Sequence, residues 1–147
     1  MFIATGAGSG YLPVAPGTWG SAVGVLLWLA VSRLALPAYL AVLGALFVIG
    51  VFSAGAAEKI VDRGDPGLVV IDEIVGQLIV LTAAPHHPVA VLAGFALFRL
   101  FDILKPFPVG WIDRHLHGGL GIMLDDVAAA LYALLVLQLG LWLFARL

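Results

Sequence analysis

Four long stretches of this chain carry no charged side chain at all: 1–32, 34–57, 74–98 and 127–145. Runs of this kind predict membrane helices, because about 20 apolar residues are needed to cross a hydrocarbon core of about 30 Å. Residues 1–18 are the exception. Gly6, Gly8, Gly10, Pro13, Pro16 and Gly17 break helices, so this part reads as a loop or re-entrant segment with a short apolar helix before it. A first helix can start at Thr18 or Ser21, both suitable N-caps, and run to about Arg33. Pro37 opens a second as a first-turn proline, continuing to about Ala57.

The polar stretch 58–72 holds a D-P-G turn at 65–67. A shorter apolar helix follows over 72–83, too short for a comfortable span and predicted to pack inside the bundle or to start below the membrane surface. After the P-H-H-P turn at 85–88, a fourth helix runs over 89–105, where Pro106 and Pro108 stop it. A loop over 106–124 contains Gly110, Gly118, Gly119 and Gly121, and a last helix runs from Asp125 to the C-terminus. The fold expected is therefore all-α: a polytopic membrane helical bundle of about five membrane segments, some short or re-entrant, forming one domain over 1–147.

Alternating directions place the N-terminal loop, 58–72 and 105–125 on one face of the membrane. The 33–37 turn, the 85–88 turn and the C-terminus take the other. Lys59, Arg63, Lys105 and Arg114 fall on the first face, against Arg33 and Arg146 on the second, so the first face is expected to be cytoplasmic.

Composition agrees with a lipid solvent. The chain is 63% hydrophobic and 11% charged, where soluble proteins carry about 25% charged residues, and its mean hydropathy is +1.13. A net charge of −2 excludes a basic nucleic-acid face. The absence of cysteine removes thiol nucleophiles, zinc-thiolate sites and disulfide frameworks. The N-terminus lacks the positive region of a signal peptide, so the sequence is expected to be retained whole.

The few charges cluster where the chemistry must be. Asp72-Glu73 and Asp125-Asp126 are adjacent pairs at predicted helix starts. One acid suffices to cap a helix and two neighbours repel, so alongside capping the pairs point to a divalent-cation site. Hard oxygen donors without thiol or histidine company suit Mg²⁺. Arg99, Asp102 and Lys105 recur at helical spacing on one face. They read either as a structural Arg99–Asp102 pair with a snorkelling Lys105, or as two phosphate contacts and a metal ligand. Asp72, Glu73, Asp102, Asp113, Asp125 and Asp126 outnumber Arg99, Lys105 and Arg114 by three charges, an excess that cations would fill. Acids for metal with Arg and Lys for phosphate are the apparatus of metal-assisted phosphoryl transfer. Backbone N–H groups of P-G-T-W-G-S (16–21) offer a weak further anion signal at a helix N-terminus. His115 and His117 read as loop residues or as a proton relay, and His86 and His87 as turn residues. Trp19, Trp28, Trp111 and Trp142 read as interfacial or packing aromatics.

Four motifs in order, P-V-A-P-G-T-W-G-S (13–21), D-P-G-L-V-V-I-D-E-I-V-G-Q (65–77), F-R-L-F-D-I-L-K-P-F-P (98–108) and H-G-G-L-G-I-M-L-D-D (117–126), make the chain resemble the phosphatidylglycerophosphatase A family. The resemblance implies a Mg²⁺-dependent lipid phosphatase of a bacterial cytoplasmic membrane, converting phosphatidylglycerol phosphate to phosphatidylglycerol and inorganic phosphate, with its site facing the cytoplasm. It implies Asp72, Glu73, Asp102, Asp125 and Asp126 as metal ligands, and Asp72, Glu73, Asp102, Lys105 and Asp126 as the catalytic group. Arg99 and Lys105 would bind phosphate, with Thr18 and Ser21 as helpers. Direct attack on phosphorus by water is the expected route, and an aspartyl-phosphate the competing one. The phospholipid and the membrane are the expected partners, nucleic acid is not, and no oligomeric state follows. Two other classes fit the charge pattern: a CDP-alcohol phosphotransferase-like enzyme, whose D-G-x-x-A-R spacing does not occur here, and a small ion or solute transporter, for which no self-similar halves are found.

Overall fold

Proline sets three of the helix starts. Pro16, Pro37 and Pro88 lie in the first turns of α1 (Pro16–Val31), α2 (Leu36–Val61) and α4 (Pro88–Leu104), where a missing N–H costs nothing. Between α2 and α4 lies the ten-residue α3 (Ile71–Val80), and after α4 come α5 (Val109–His115) and α6 (Gly118–Phe144). The computed structural model describes residues 1–62 and 66–146. Among these residues it is all-helical and contains no strand; one short 3-10 turn, Ser9–Tyr11, precedes α1. Arg63 and Asp65, which entered the charge count and the D-P-G turn, lie outside the described residues.

Three local expectations are corrected. The cap of α1 is Ala15, without a side-chain hydrogen bond, so neither Thr18 nor Ser21 caps it. The expected 106–124 loop contains α5, with Pro108 at its N-cap. The last helix begins at Gly118 rather than near Asp125, so Asp125 and Asp126 lie about two turns inside α6 and cap nothing.

The buried centre is α3, packed by α1, α2, α4 and α6. Its length of ten residues, about 15 Å, leaves both ends inside the protein. Carbonyls at a helix end need donors, and side chains from three other helices supply them. Tyr39 Oη donates to Leu78 O at 2.6 Å, Trp28 Nε1 to Leu81 O at 2.9 Å and Gln138 Nε2 to Thr82 O at 3.0 Å. At the opposite end the N-terminal segment covers the first turn, with Ala4 O accepting from Val70 N and Ile71 N. Helix α1 approaches α3 through glycines: a Cβ at Gly20 would strike Val70, and one at Gly24 would strike Gln77.

The two ends of the bundle differ. Ser32 Oγ lies 2.7 Å from His86 Nε2, and the His86 ring stacks on Trp28 at 4.8 Å, which joins the α1–α2 and α3–α4 turns at one end. The N-terminal segment, the start of α3, the end of α4 and α5 gather at the other. Outward-facing side chains between them are apolar; Leu26, Phe52, Leu92, Leu135 and Phe144 are all exposed. Surface of that kind is stable against hydrocarbon and unstable against water. Two helices, α2 and α6, are long and apolar enough to cross a membrane.

Candidate active site

Each charged side chain that lines the polar cavity is delivered by a helix terminus or a helix face. The first turn of α3 carries Asp72 and Glu73. Arg99 and Asp102 lie on the last turns of α4, and Lys105 closes that helix with a left-handed φ of 43°. This conformation costs a non-glycine residue about 1–2 kcal/mol. Asp125 and Asp126 come from α6. All seven line one cavity of about 260 Å³, whose wall is completed by Ala15, Pro16 and Gly17 at the start of α1 and by Gly67 and Val69 before α3.

Within it, Asp72, Glu73 and Asp126 each present a carboxylate oxygen, and the three oxygens lie within 4.8 Å of one another. Asp72 and Asp126 are buried. Asp72 Oδ1, Glu73 Oε2 and Asp126 Oδ2 are shielded from solvent and accept no hydrogen bond. Three carboxylates this close, each with a buried oxygen that no donor satisfies, repel strongly unless a cation sits among them. The trio could hold a metal ion, and an all-oxygen donor set favours a hard one.

Two cations flank the trio. Arg99 Nη1 is 2.6 Å from Asp102 Oδ2 and 3.7 Å from Glu73 Oε1. Its Nε and Nη1 are nevertheless buried without an aligned hydrogen bond, which leaves donors for an anionic ligand. Gly17 makes room for this pair, since a Cβ there would run into the Glu73 carboxylate and the Arg99 guanidinium. Lys105 Nζ donates to Asp113 Oδ1 at 2.5 Å and to Asp125 Oδ2 at 2.8 Å. Burial disfavours its charge, but these two carboxylates outweigh burial and hold its pKa above the usual lysine range. The ammonium is thus kept cationic and engaged inward, so Lys105 does not snorkel.

The structure brings Asp72, Glu73, Arg99, Asp102, Lys105, Asp125 and Asp126 together around one cavity, and the excess of three negative charges counted in the sequence survives there as five acids against two cations. Thr18 and Ser21 are not brought to it. Ser21 Oγ is buried and donates back to Gly17 O at 3.0 Å. His115 stacks on Trp111 at 4.7 Å on the exposed side of α5, and Arg114 Nε donates to Gly110 O. His117 lines a neighbouring cavity of about 250 Å³ with Glu58, Asp113 and Asp125. Sequence reasoning missed three residues: Gly17 as a spacer, Asp113 as the partner of Lys105, and Gln77. The last is one turn deeper than Glu73 on α3, fully buried, with neither amide atom hydrogen-bonded. A glutamine inside an apolar helix was the one available signal for it.

Known proteins resemble this chain over most of its length. The profile of the family Phosphatidylglycerophosphatase A matches residues 2–141. A phosphatidylglycerophosphatase A of Haemophilus influenzae is 44% identical over 136 residues, covering 91% of this chain and 83% of its own. A phosphatidylglycerophosphatase A of Escherichia coli is 40% identical over 128 residues, covering 86% of this chain and 74% of its own. A Bacteroides thetaiotaomicron protein, provisionally named a phosphatidylinositol-3-phosphatase, is 40% identical over 151 residues, covering 97% and 93%. No solved structure matches the chain. With a profile match over nearly its whole length and relatives at this identity, the chain belongs to the phosphatidylglycerophosphatase A family.

Proposed function

We propose that the chain is a Mg²⁺-dependent lipid phosphatase that hydrolyses the terminal phosphomonoester of phosphatidylglycerol phosphate in phospholipid biosynthesis. The observation that carries this reading is the trio Asp72, Glu73 and Asp126, two of them buried, contributed by two helices and flanked by Arg99 and Lys105. Asp72, Glu73 and Asp126 would hold the ion, with Asp102 and Asp125 beside them. A divalent cation there supplies positive charge to phosphate oxygens and lowers the pKa of a water it binds.

The chain's own residues do the rest. Arg99, with its unaligned N–H groups, and Lys105, with three donors on its ammonium, bind and orient the phosphoryl group and stabilise charge on its oxygens. Water attacks phosphorus, the bond to the glycerol oxygen breaks, and the proton lost by the water is returned to the departing alcohol, with the cluster's carboxylates as bases. The narrow cavity positions the phosphate and leaves the acyl chains outside, against the apolar exterior of the bundle.

We place the protein in the cytoplasmic membrane of a bacterium, with α1 to α4 and α6 as about five membrane segments, α1 and α3 short, and α5 at the boundary. The polar end faces the cytoplasm in this reading, supported by the share of lysine and arginine at that end. The relative provisionally named for phosphatidylinositol 3-phosphate favours a second substrate of the same kind, a phosphomonoester on another polyol headgroup.

Phosphate release from phosphatidylglycerol phosphate and from phosphatidylinositol 3-phosphate, with Mg²⁺ and with chelator, tests the proposal. Release should require Mg²⁺, and Asp72→Asn and Asp126→Asn should each lower it by at least about 100-fold. Activity that survives both substitutions, or CMP-linked transfer in place of hydrolysis, would overturn it.

A further inference from the structure

We propose that Asp113, on the short helix α5, is a positioning residue that fixes the Lys105 ammonium at the edge of the cavity and keeps it there when the acids are occupied. The inference rests on the phosphatase reading above and goes beyond it, because Asp113 does not line the acidic cavity.

Lys105 has a long, flexible stem, and immobilising it opposes about 2 kcal/mol of rotamer entropy. A single ion pair at a half-exposed position contributes about 0–1 kcal/mol, too little to hold the ammonium in one place. Two carboxylates from different helices hold it here, Asp113 at 2.5 Å and Asp125 at 2.8 Å. They are not equivalent. Asp125 lines the acidic cavity, so a cation bound there competes with Lys105 for its oxygens. Asp125 lines both cavities, whereas Asp113 lines only the neighbouring one, with Glu58 and His117, so a cation among the acids leaves the Asp113 contact to hold Lys105. With two of its three N–H groups on these carboxylates, the ammonium has the third for a phosphate oxygen.

Helix α5 is built to present Asp113 in one place. Val109 is fully buried, and α5 packs on α6. The connector before it is tied to α6 by Tyr132 Oη, which donates to Phe107 O at 2.8 Å. Gly110 comes so close to the end of α4 that a Cβ there would lie 2.7 Å from Lys105 O. The carboxylate of Asp113 and the backbone of Lys105 are therefore held in register by the same short helix.

The test is steady-state phosphate release by the full-length protein in mixed micelles of phosphatidylglycerol phosphate, with thermal unfolding measured on each variant. Asp113→Asn should lower kcat by about 10- to 100-fold, the usual effect of losing an outer partner of a catalytic group, with KM and Tm little changed. Asp113→Glu, which keeps the charge, should recover most of the rate. In a Lys105→Ala background, Asp113→Asn should change the rate by less than about 2-fold, because it acts only through the lysine. Asp113→Ser must show the same pattern if the asparagine variant does not fold. A wild-type rate in Asp113→Asn, or an undiminished loss in the Lys105→Ala background, would overturn the inference and leave the phosphatase reading standing. A wild-type protein that releases no phosphate from either lipid would overturn both.

Discussion

At the scale of single residues, charge was the readable signal. An acid or base in a chain with so few of them is expensive to place in apolar surroundings, so the seven side chains that line the cavity stood out before any geometry was known. Hydroxyl groups misled for an equally physical reason. In an apolar helix a serine satisfies itself on the carbonyl four residues back, as Ser21 does on Gly17, and a serine near a helix start reads the same whether it caps, bonds backwards or binds. Gly17 was unreadable because glycine near a helix start is common; only the neighbours that it admits, Glu73 and Arg99, explain it. Gly17→Ala should therefore act on the chemistry more than on the fold. The groups it meets are flexible side-chain ends that can move aside, so unfolding should shift little, while displacing them should lower phosphate release by on the order of 10- to 100-fold. An active Gly17→Ala enzyme would show that the Glu73–Arg99 placement is not critical.

At the scale of elements, most helices were legible and the segment 106–124 was not. Pro37 marked the start of α2, while Pro16 and Pro88, read as a breaker and a turn residue, also lie in first turns, those of α1 and α4. The same logic failed twice near the site. Pro106 and Pro108 end α4, but a proline can also open a helix, and α5 follows directly. Gly118, Gly119 and Gly121 read as loop residues, yet they lie in α6, where Gly118 takes a left-handed φ of 73° and the other two are required by close packing. A Cβ at Gly119 would collide with Val51 O and press on Gly55 N of α2, so the two helices meet at backbone distance. Backbone cannot step aside as a side-chain end can. Gly119→Val should destabilise the protein by about 1–3 kcal/mol or more, read as a lowered Tm in detergent. Gly44→Val and Gly140→Val, at positions where an added Cβ meets nothing within 4 Å, should leave Tm nearly unchanged. Equal shifts in all three would mean that the α2–α6 crossing is not the tight one described.

At the scale of the whole molecule, the design is a short central helix that carries two acids and is surrounded by longer apolar ones. The sequence announced that α3 is too short to span a membrane comfortably, but not how its far end is satisfied. Trp28 and Tyr39 donate to its terminal carbonyls, and nothing in the sequence separates a tryptophan that does so from one at a lipid interface. With that end secured inside, the start of α3 is fixed opposite the third turn of α6, and Asp72 and Glu73 meet Asp126. On the proposed reading these acids, from two helices, share one divalent cation. The most direct measurement is a Mn²⁺ titration of the protein in lipid nanodiscs, followed by electron paramagnetic resonance. Wild-type protein should bind the ion, and Asp72→Asn and Asp126→Asn should each weaken binding by at least about 10-fold, while Asp113→Asn should not. Binding that withstands substitution on either helix would contradict the claim, because the two helices would then not be holding the same ion.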